Sequence, residues 1–144
     1  MAYNSGAVAN QLVTVLDGLS GMGAAQIGAP ESVGVKVSAY VTMGSQSVVR
    51  KATGITQRES RFFVLFAYRV EGAESAAETT LMGLVDAFFN ALYADLTVAG
   101  TVHSLEANSQ AADEPDYQLR AGKEYREYPV MLTVIQRDSY DINP

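Results

Sequence analysis

The stretch 75–96 repeats its apolar residues at the spacing of one helix face. Ser75 and Glu78 form the S-x-x-E pattern, in which each of the two side chains satisfies a backbone N–H at the start of a helix. Gly100 follows the last apolar residue, as is common beyond a helix C-terminus. The apolar face comprises Leu81, Leu84, Val85, Phe88, Leu92 and Leu96. We predict a helix of about six turns, whose wide apolar face must be buried against a sheet or another helix.

A second helix and four strands are predicted around this one. Residues 5–19 place apolar side chains at helical spacing after Asn4 or Ser5, and either residue can cap the helix. Alternating apolar and polar residues, or short apolar runs rich in β-formers, mark the strands. The predicted strands cover residues 33–43, 61–70, 101–107 and 125–137.

A long polar segment, residues 44–60, separates the first two strands. It is basic and is interrupted by Gly44 and Gly54. At about 17 residues it exceeds an ordinary hairpin turn, so it is either a functional loop or an extended arm. We expect a long mobile hairpin loop here. The C-terminal tail, about residues 139–144, is expected to be mobile as well.

Together these elements predict a single α+β domain over residues 1–144. Its antiparallel sheet has four to five strands, joined chiefly as neighbours along the chain. Both helices are expected to pack on one face of the sheet. The other face would then stay partly apolar and accessible to a partner.

Composition excludes several classes of chemistry. The chain has no cysteine and one histidine, which excludes disulfides, thiolate nucleophiles and a His-rich metal centre within one chain. No apolar run reaches the roughly 18 residues that span a bilayer, and the first residues lack the basic start of a signal peptide. We therefore expect no membrane association. No cofactor is predicted, because no P-loop or dinucleotide-binding glycine pattern is present.

Few residues suggest catalysis or metal binding. His103 lies near Glu106, but no nucleophile is paired with it, so a structural or surface histidine is favoured. The carboxylates of Asp113, Glu114 and Asp116 lack the ligand spacing of a calcium-binding loop, which favours a solvated loop. No catalytic residue and no metal ligand are predicted, and the chain is not expected to be an enzyme.

Charge is distributed unevenly along the chain. Residues 32–69 contain six basic residues and one acidic residue, whereas the rest contains four basic and fifteen acidic residues. This asymmetry is typical either of dispersed solvated surface or of complementary patches that meet between subunits or with a partner. The basic residues predicted to bind a partner are Arg50, Lys51, Arg58 and Arg61.

With these elements in place, the chain resembles the tail terminator proteins of long-tailed bacteriophages, which are small ring-forming proteins that cap the tail tube. Four segments, which together cover most of the chain, carry the resemblance. They are the helix 5–19, the hairpin with the basic segment 44–60, the helix LMGLVDAFFNALYADL and the closing strand REYPVMLTVIQRD.

The resemblance implies a non-enzymatic virion protein, assembled in the host cytoplasm and located at the head-proximal end of the tail. It implies a homo-oligomer, a hexameric ring that stops polymerisation of the tail tube protein and presents a surface to the head–tail connector. A loop that orders on docking would carry Arg50, Lys51 and Arg58 as contact residues. Nonspecific contact with DNA that passes through the lumen is also implied.

Two other functions stay open from the sequence. One is a head-completion or head–tail adaptor protein of the same virion, which would dock on the opposite side of the joint. The other is a small oligomeric α+β enzyme or ligand-binding protein with a pocket between subunits. His103, Glu106 or Tyr128 would contribute to that pocket across the interface.

Overall fold

Two helices and six strands form the part of the chain that the structure, a computed structural model, describes. Described are residues 3–28, 37–70, 74–98, 100, 102, 104–109, 116–120 and 123–139. The helices are α1 (Ser5–Asp17) and α2 (Glu74–Ala94). The strands are β1 (Ala24–Ile27), β2 (Val37–Ala52), β3 (Ile55–Arg69), β4 (Ser104–Ser109), β5 (Asp116–Arg120) and β6 (Lys123–Ser139). The predicted α+β class is confirmed.

The strands form one sheet in the order β1-β2-β3-β6-β4, and β5 also pairs with β6. β4 and β5 pair with successive parts of β6, so they lie end to end along one of its edges. β3 lies along the other edge. All pairs are antiparallel except β1 with β2, which is parallel. The sheet is therefore mixed, and the antiparallel prediction holds for every pair except this one.

The segment predicted as a loop, residues 44–60, is the distal part of a hairpin instead. β2 continues to Ala52, β3 begins at Ile55, and Gly54 takes a φ of 81° in the turn between them. Only glycine adopts such a φ without strain, which fits a tight two-residue connection. The strand boundaries predicted near residues 43 and 61 are therefore wrong.

A third strand extends this hairpin, because β6 stays in register with β3 as far as the pair Ile55 and Ser139. We call this three-stranded ribbon the arm, and define it as residues 44–60 together with residues 134–139. Ser139 ends β6, whereas the rest of the predicted tail lies outside the described residues. A polar segment can form such strands because backbone pairing supplies the hydrogen bonds, without a buried face to impose alternation.

The helices and one face of the sheet share a single hydrophobic core. From the helices it includes Val8, Leu12, Leu16, Leu81, Leu84, Val85, Phe88 and Leu92. From the sheet it includes Val37, Ala39, Val41, Phe62, Val64, Phe66, Val130, Leu132 and Val134. Strand pairing places these sheet residues on one face. Phe88 and Phe66 link the two layers, with ring centroids 5.6 Å apart in an edge-to-face arrangement.

Both predicted helices are confirmed within a few residues, and so are the described parts of the four predicted strands, apart from the boundaries at the arm. Residues 33–36 of the first predicted strand and residues 101 and 103 of the third lie outside the described residues. Asn4 caps α1, since its side chain accepts a hydrogen bond from the N–H of Ala7 at 2.9 Å. The sequence analysis missed β1 and β5. β1 has four residues, too few to show an alternation, and β5 lies in a segment rich in acidic and turn-forming residues.

Phe88→Ala should lower the free energy of unfolding by about 3–5 kcal/mol, because it empties a fully buried site and removes the contact with Phe66. Met82→Ala on the same helix is the control, since this side chain is exposed; it should change stability by less than about 0.5 kcal/mol. Urea unfolding followed by circular dichroism measures both. Equal stability of Phe88→Ala and the wild type would contradict the packing.

Candidate functional site

The tip of the arm presents exposed apolar and basic side chains together. Val48, Val49 and Ile55 are 56%, 48% and 40% exposed. Arg50 and Lys51, next to the turn, are exposed as well. Apolar side chains uncovered at the end of a paired ribbon, with basic groups beside them, are typical of a protein-binding surface. The tip is therefore the candidate docking site.

Arg58 lies midway along the arm, directly across from Val48 of β2, and is engaged within the molecule. Its guanidinium donates hydrogen bonds from Nη2 to Oε1 of Gln136 at 2.6 Å and to Oγ of Ser5 at 3.0 Å. The same group lies 4.7 Å from the centroid of the Tyr3 ring. The Tyr3 hydroxyl in turn donates to Oγ1 of Thr56 at 2.6 Å. Arg58 thus joins the N-terminal segment to the arm.

Arg61 is exposed on the opposite face of β3, because it is three residues from Arg58 and side chains alternate along a strand. It shares a shallow polar depression with Glu59, and the other wall of this depression is residues 45–47 of β2. Arg61 pairs across the sheet with Thr133 of β6.

The four basic residues predicted to bind a partner therefore do not form one patch. Arg50 and Lys51 are chain neighbours next to the turn, Arg61 lies on one face of the sheet, and Arg58 is anchored on the other. The sequence analysis did not assign Val48, Val49 and Ile55 to the site. A weak signal was present, since Gly54 can supply the turn and β-branched residues come before and after it.

A second concave surface, a groove of about 350 Å³, lies along α2. Its lining residues are Glu78, Leu81, Met82, Val85, Asp86 and Tyr128. Arg126 is buried beside it and donates to the carboxylate of Glu78 and to the carbonyl of Glu127. A buried guanidinium requires such partners. Because Arg126 is in β6 and Glu78 is in α2, this ion pair has a structural role: it attaches the helix to the strand.

Of the residues proposed for an inter-subunit pocket, the two that the structure describes lie on opposite faces of the sheet. Tyr128 pairs with Phe66 of the core and lies on the helix side of the sheet. Glu106 pairs with Thr133 and is exposed on the opposite face. His103 lies outside the described residues. Tyr128 and Glu106 therefore do not line one pocket within a single chain.

No group of three or more His, Cys, Asp or Glu side chains is placed to hold a metal ion among the described residues. Asp113 and Glu114 of the predicted acidic loop lie outside this part of the chain, whereas Asp116 begins β5. Neither α1 nor α2 is long and apolar enough to cross a membrane.

Arg58→Ala should lower the free energy of unfolding by about 1–3 kcal/mol, because it removes the donor to Gln136 and the cation over the Tyr3 ring. The double variant Arg50→Ala/Lys51→Ala should change it by less than about 0.5 kcal/mol, since both side chains are exposed. Urea unfolding distinguishes the two. If the double variant were less stable than Arg58→Ala, the assignment of Arg58 as the residue that holds the N-terminal segment to the arm would be wrong.

Comparison with known proteins leaves the function to be inferred from these residues. No protein-family model matches the chain, and no curated protein is similar enough to count as a relative.

Proposed function

We propose that this chain is a structural virion protein of the kind the tail terminators represent: a hexameric ring that caps the tail tube. The ring stops polymerisation of the tube protein and forms the surface on which the head connector binds. The observation that carries the proposal is the arm, whose paired strands bear exposed apolar and basic side chains at one end. A protein that ends a polymer must match the growing end on one side and differ from it on the other.

The tip of the arm supplies the matching surface in this proposal. Val48, Val49 and Ile55 give apolar area, and Arg50 and Lys51 favour a partner surface that carries acidic groups. Since the arm is held by strand pairing, docking needs no folding of a loop. The tip, rather than the whole segment 44–60, is therefore the docking element.

A ligand-binding protein is the second candidate, favoured by the groove along α2. The groove combines apolar side chains with the carboxyl groups of Glu78 and Asp86 and the ring of Tyr128. Small-molecule sites combine apolar walls with a few polar groups in this way. A head–tail adaptor is a variant of the first proposal and would use the same arm against a different neighbour.

Arg50→Ala/Lys51→Ala should fold normally but fail to cap tails. The expected result is tails of abnormal length and at least about a tenfold loss of joining to heads, because two charge contacts to the partner are removed. Lys123→Ala is the matched control, since Lys123 is exposed at the end of β6 remote from the arm. Electron microscopy of tails assembled with each variant gives tail length and the joined fraction.

The outcomes of this experiment separate the candidates. Normal tails and normal joining with the double variant would overturn the docking role of the tip. Tails of normal length that fail to join heads would identify an adaptor instead. Binding that weakens steeply as the salt concentration rises, and that loses this dependence in the double variant, would identify DNA phosphates as the partner of Arg50 and Lys51.

The ring itself is tested by mass. Sedimentation and native mass spectrometry should show hexamers, at least for protein attached to tail tubes. Monomers both in free solution and on assembled tails would exclude a ring terminator.

A further inference from the structure

β2 has an open backbone edge along the arm. β1 pairs with β2 only at residues 38–41, so in the described part of the chain no strand pairs with residues 42–52 on that side. Long open edges are templates for another strand, and proteins usually cover them or place charges on them. In β2 the charged residues, Arg50 and Lys51, come only next to the turn. Residues 42–49 are uncharged.

The opposite edge of the sheet is open as well, because β4 pairs with β6 on one side and with no described strand on the other. The two open edges cover the same rows of paired residues in the sheet. Cross-strand pairing joins Met43 to Phe62, Phe62 to Leu132 and Leu132 to Ala107, which form one row across four strands. Neither edge is displaced along the strand direction from the other.

Strand direction also suits a contact between these edges. β2, β3, β6 and β4 alternate in direction, so β4 runs antiparallel to β2. A second copy placed beside the first in the same orientation therefore presents its β4 antiparallel to β2. That arrangement continues the alternation of the sheet, and antiparallel pairing is the more common kind.

A charge pair lies in the row next to this one. Arg61 pairs with Thr133, and Thr133 pairs with Glu106, so these side chains lie on the same face of the sheet. Both Arg61 and Glu106 are exposed. On β2, the residues beside Arg61 are Gly44 and Ser45, in the bulge between Met43 and Gln46.

In a sheet continued by a second copy, the row runs from Arg61 across β2 to the second copy's Glu106. Two strand spacings put their Cα atoms about 10 Å apart, within reach of two extended side chains. Gly44 has no side chain on this row, and the Phe63 ring takes the space beside it. A Cβ on Gly44 would come within 2.6 Å of the Phe63 ring, so the place of this glycine in the bulge is specific. Glu59 is the other charged group that faces Arg61 in its depression.

We propose that the open edge of β2 pairs with β4 of a second copy, with Arg61 bound to the second copy's Glu106. The contact is heterologous, so each copy uses one edge on either side, and repetition builds the proposed ring when the rotation between copies closes. The inference rests on the proposed ring and names the surfaces that build it. Six residues of β4 make a small interface, so association should depend on concentration until the ring closes.

Charge reversal tests the side-chain pair. Arg61→Glu and Glu106→Arg should each weaken self-association by about tenfold or more, because each places like charges together. The double variant Arg61→Glu/Glu106→Arg should recover wild-type association to within about threefold. Lys123→Glu is the control, since it makes the same charge change as Arg61→Glu at an exposed site away from both edges. Sedimentation velocity over a range of protein concentrations measures all five proteins.

The backbone part of the contact has its own test at Met43. The carbonyl of Val41 accepts a hydrogen bond from Gly28 on the β1 side. Met43, two residues further along β2, points its N–H to the same edge, where no described strand follows. Met43→Pro removes this N–H without removing a hydrogen bond to β3, whereas Met43→Leu keeps it. Association should fall about tenfold or more for the first variant and stay within about threefold for the second.

The possible results are distinct for the contact and for the proposed function. Rings that resist both single charge reversals, or a double variant without recovery, would overturn the contact while leaving the ring intact. A wild-type protein that stays monomeric at every concentration, free or on tails, would overturn both. If the double variant recovers association but tails are capped even when this protein is absent, the contact is supported and the proposed function is overturned.

Discussion

A mismatch of length between helices and strands shapes this protein. β6 has 17 residues and spans about 56 Å at 3.3 Å per residue, whereas α2 with 21 residues spans about 32 Å. α1 is shorter still. Two such helices cannot cover strands of this length, so the apolar core occupies one part of the sheet. The uncovered remainder of β2, β3 and β6 must satisfy its backbone by pairing alone, and it forms the arm.

Pairing keeps the arm ordered where hydrophobic burial cannot. An isolated two-stranded hairpin is marginal in water, and β6 supplies the third strand that makes such a ribbon stable. The N-terminal segment adds a second support along the arm, through Arg58 and Tyr3. The buried amide of Gln136 completes this polar layer just beyond the last apolar row of the core. Along each strand, the stabilising interaction thus changes from apolar packing to hydrogen bonding within a few residues.

This division explains what the sequence could and could not predict. Wherever a face is buried, periodicity follows, so both helices, the core strands and residues such as Phe88 were predictable. The arm has no buried face along most of its length, and its strands lack periodicity and resemble a loop. Exposure of Arg50 and Lys51 was predictable from their polarity. The anchoring of Arg58 was not, since its partners Ser5 and Gln136 are 53 and 78 residues away along the chain.

The same strand carries two kinds of surface in separate segments. Along residues 42–47 of β2 the open feature is the backbone edge, which any strand in register can satisfy and which a copy of the same chain can supply repeatedly. From Val48 to Lys51 the open feature is side chains, which select a partner by shape and charge. A protein that must first join its own copies and then stop a different polymer needs both. In the proposed ring, backbone pairing occupies the edge of β2 and leaves the tips exposed for the proposed partner, so the two proposed contacts do not compete for one surface.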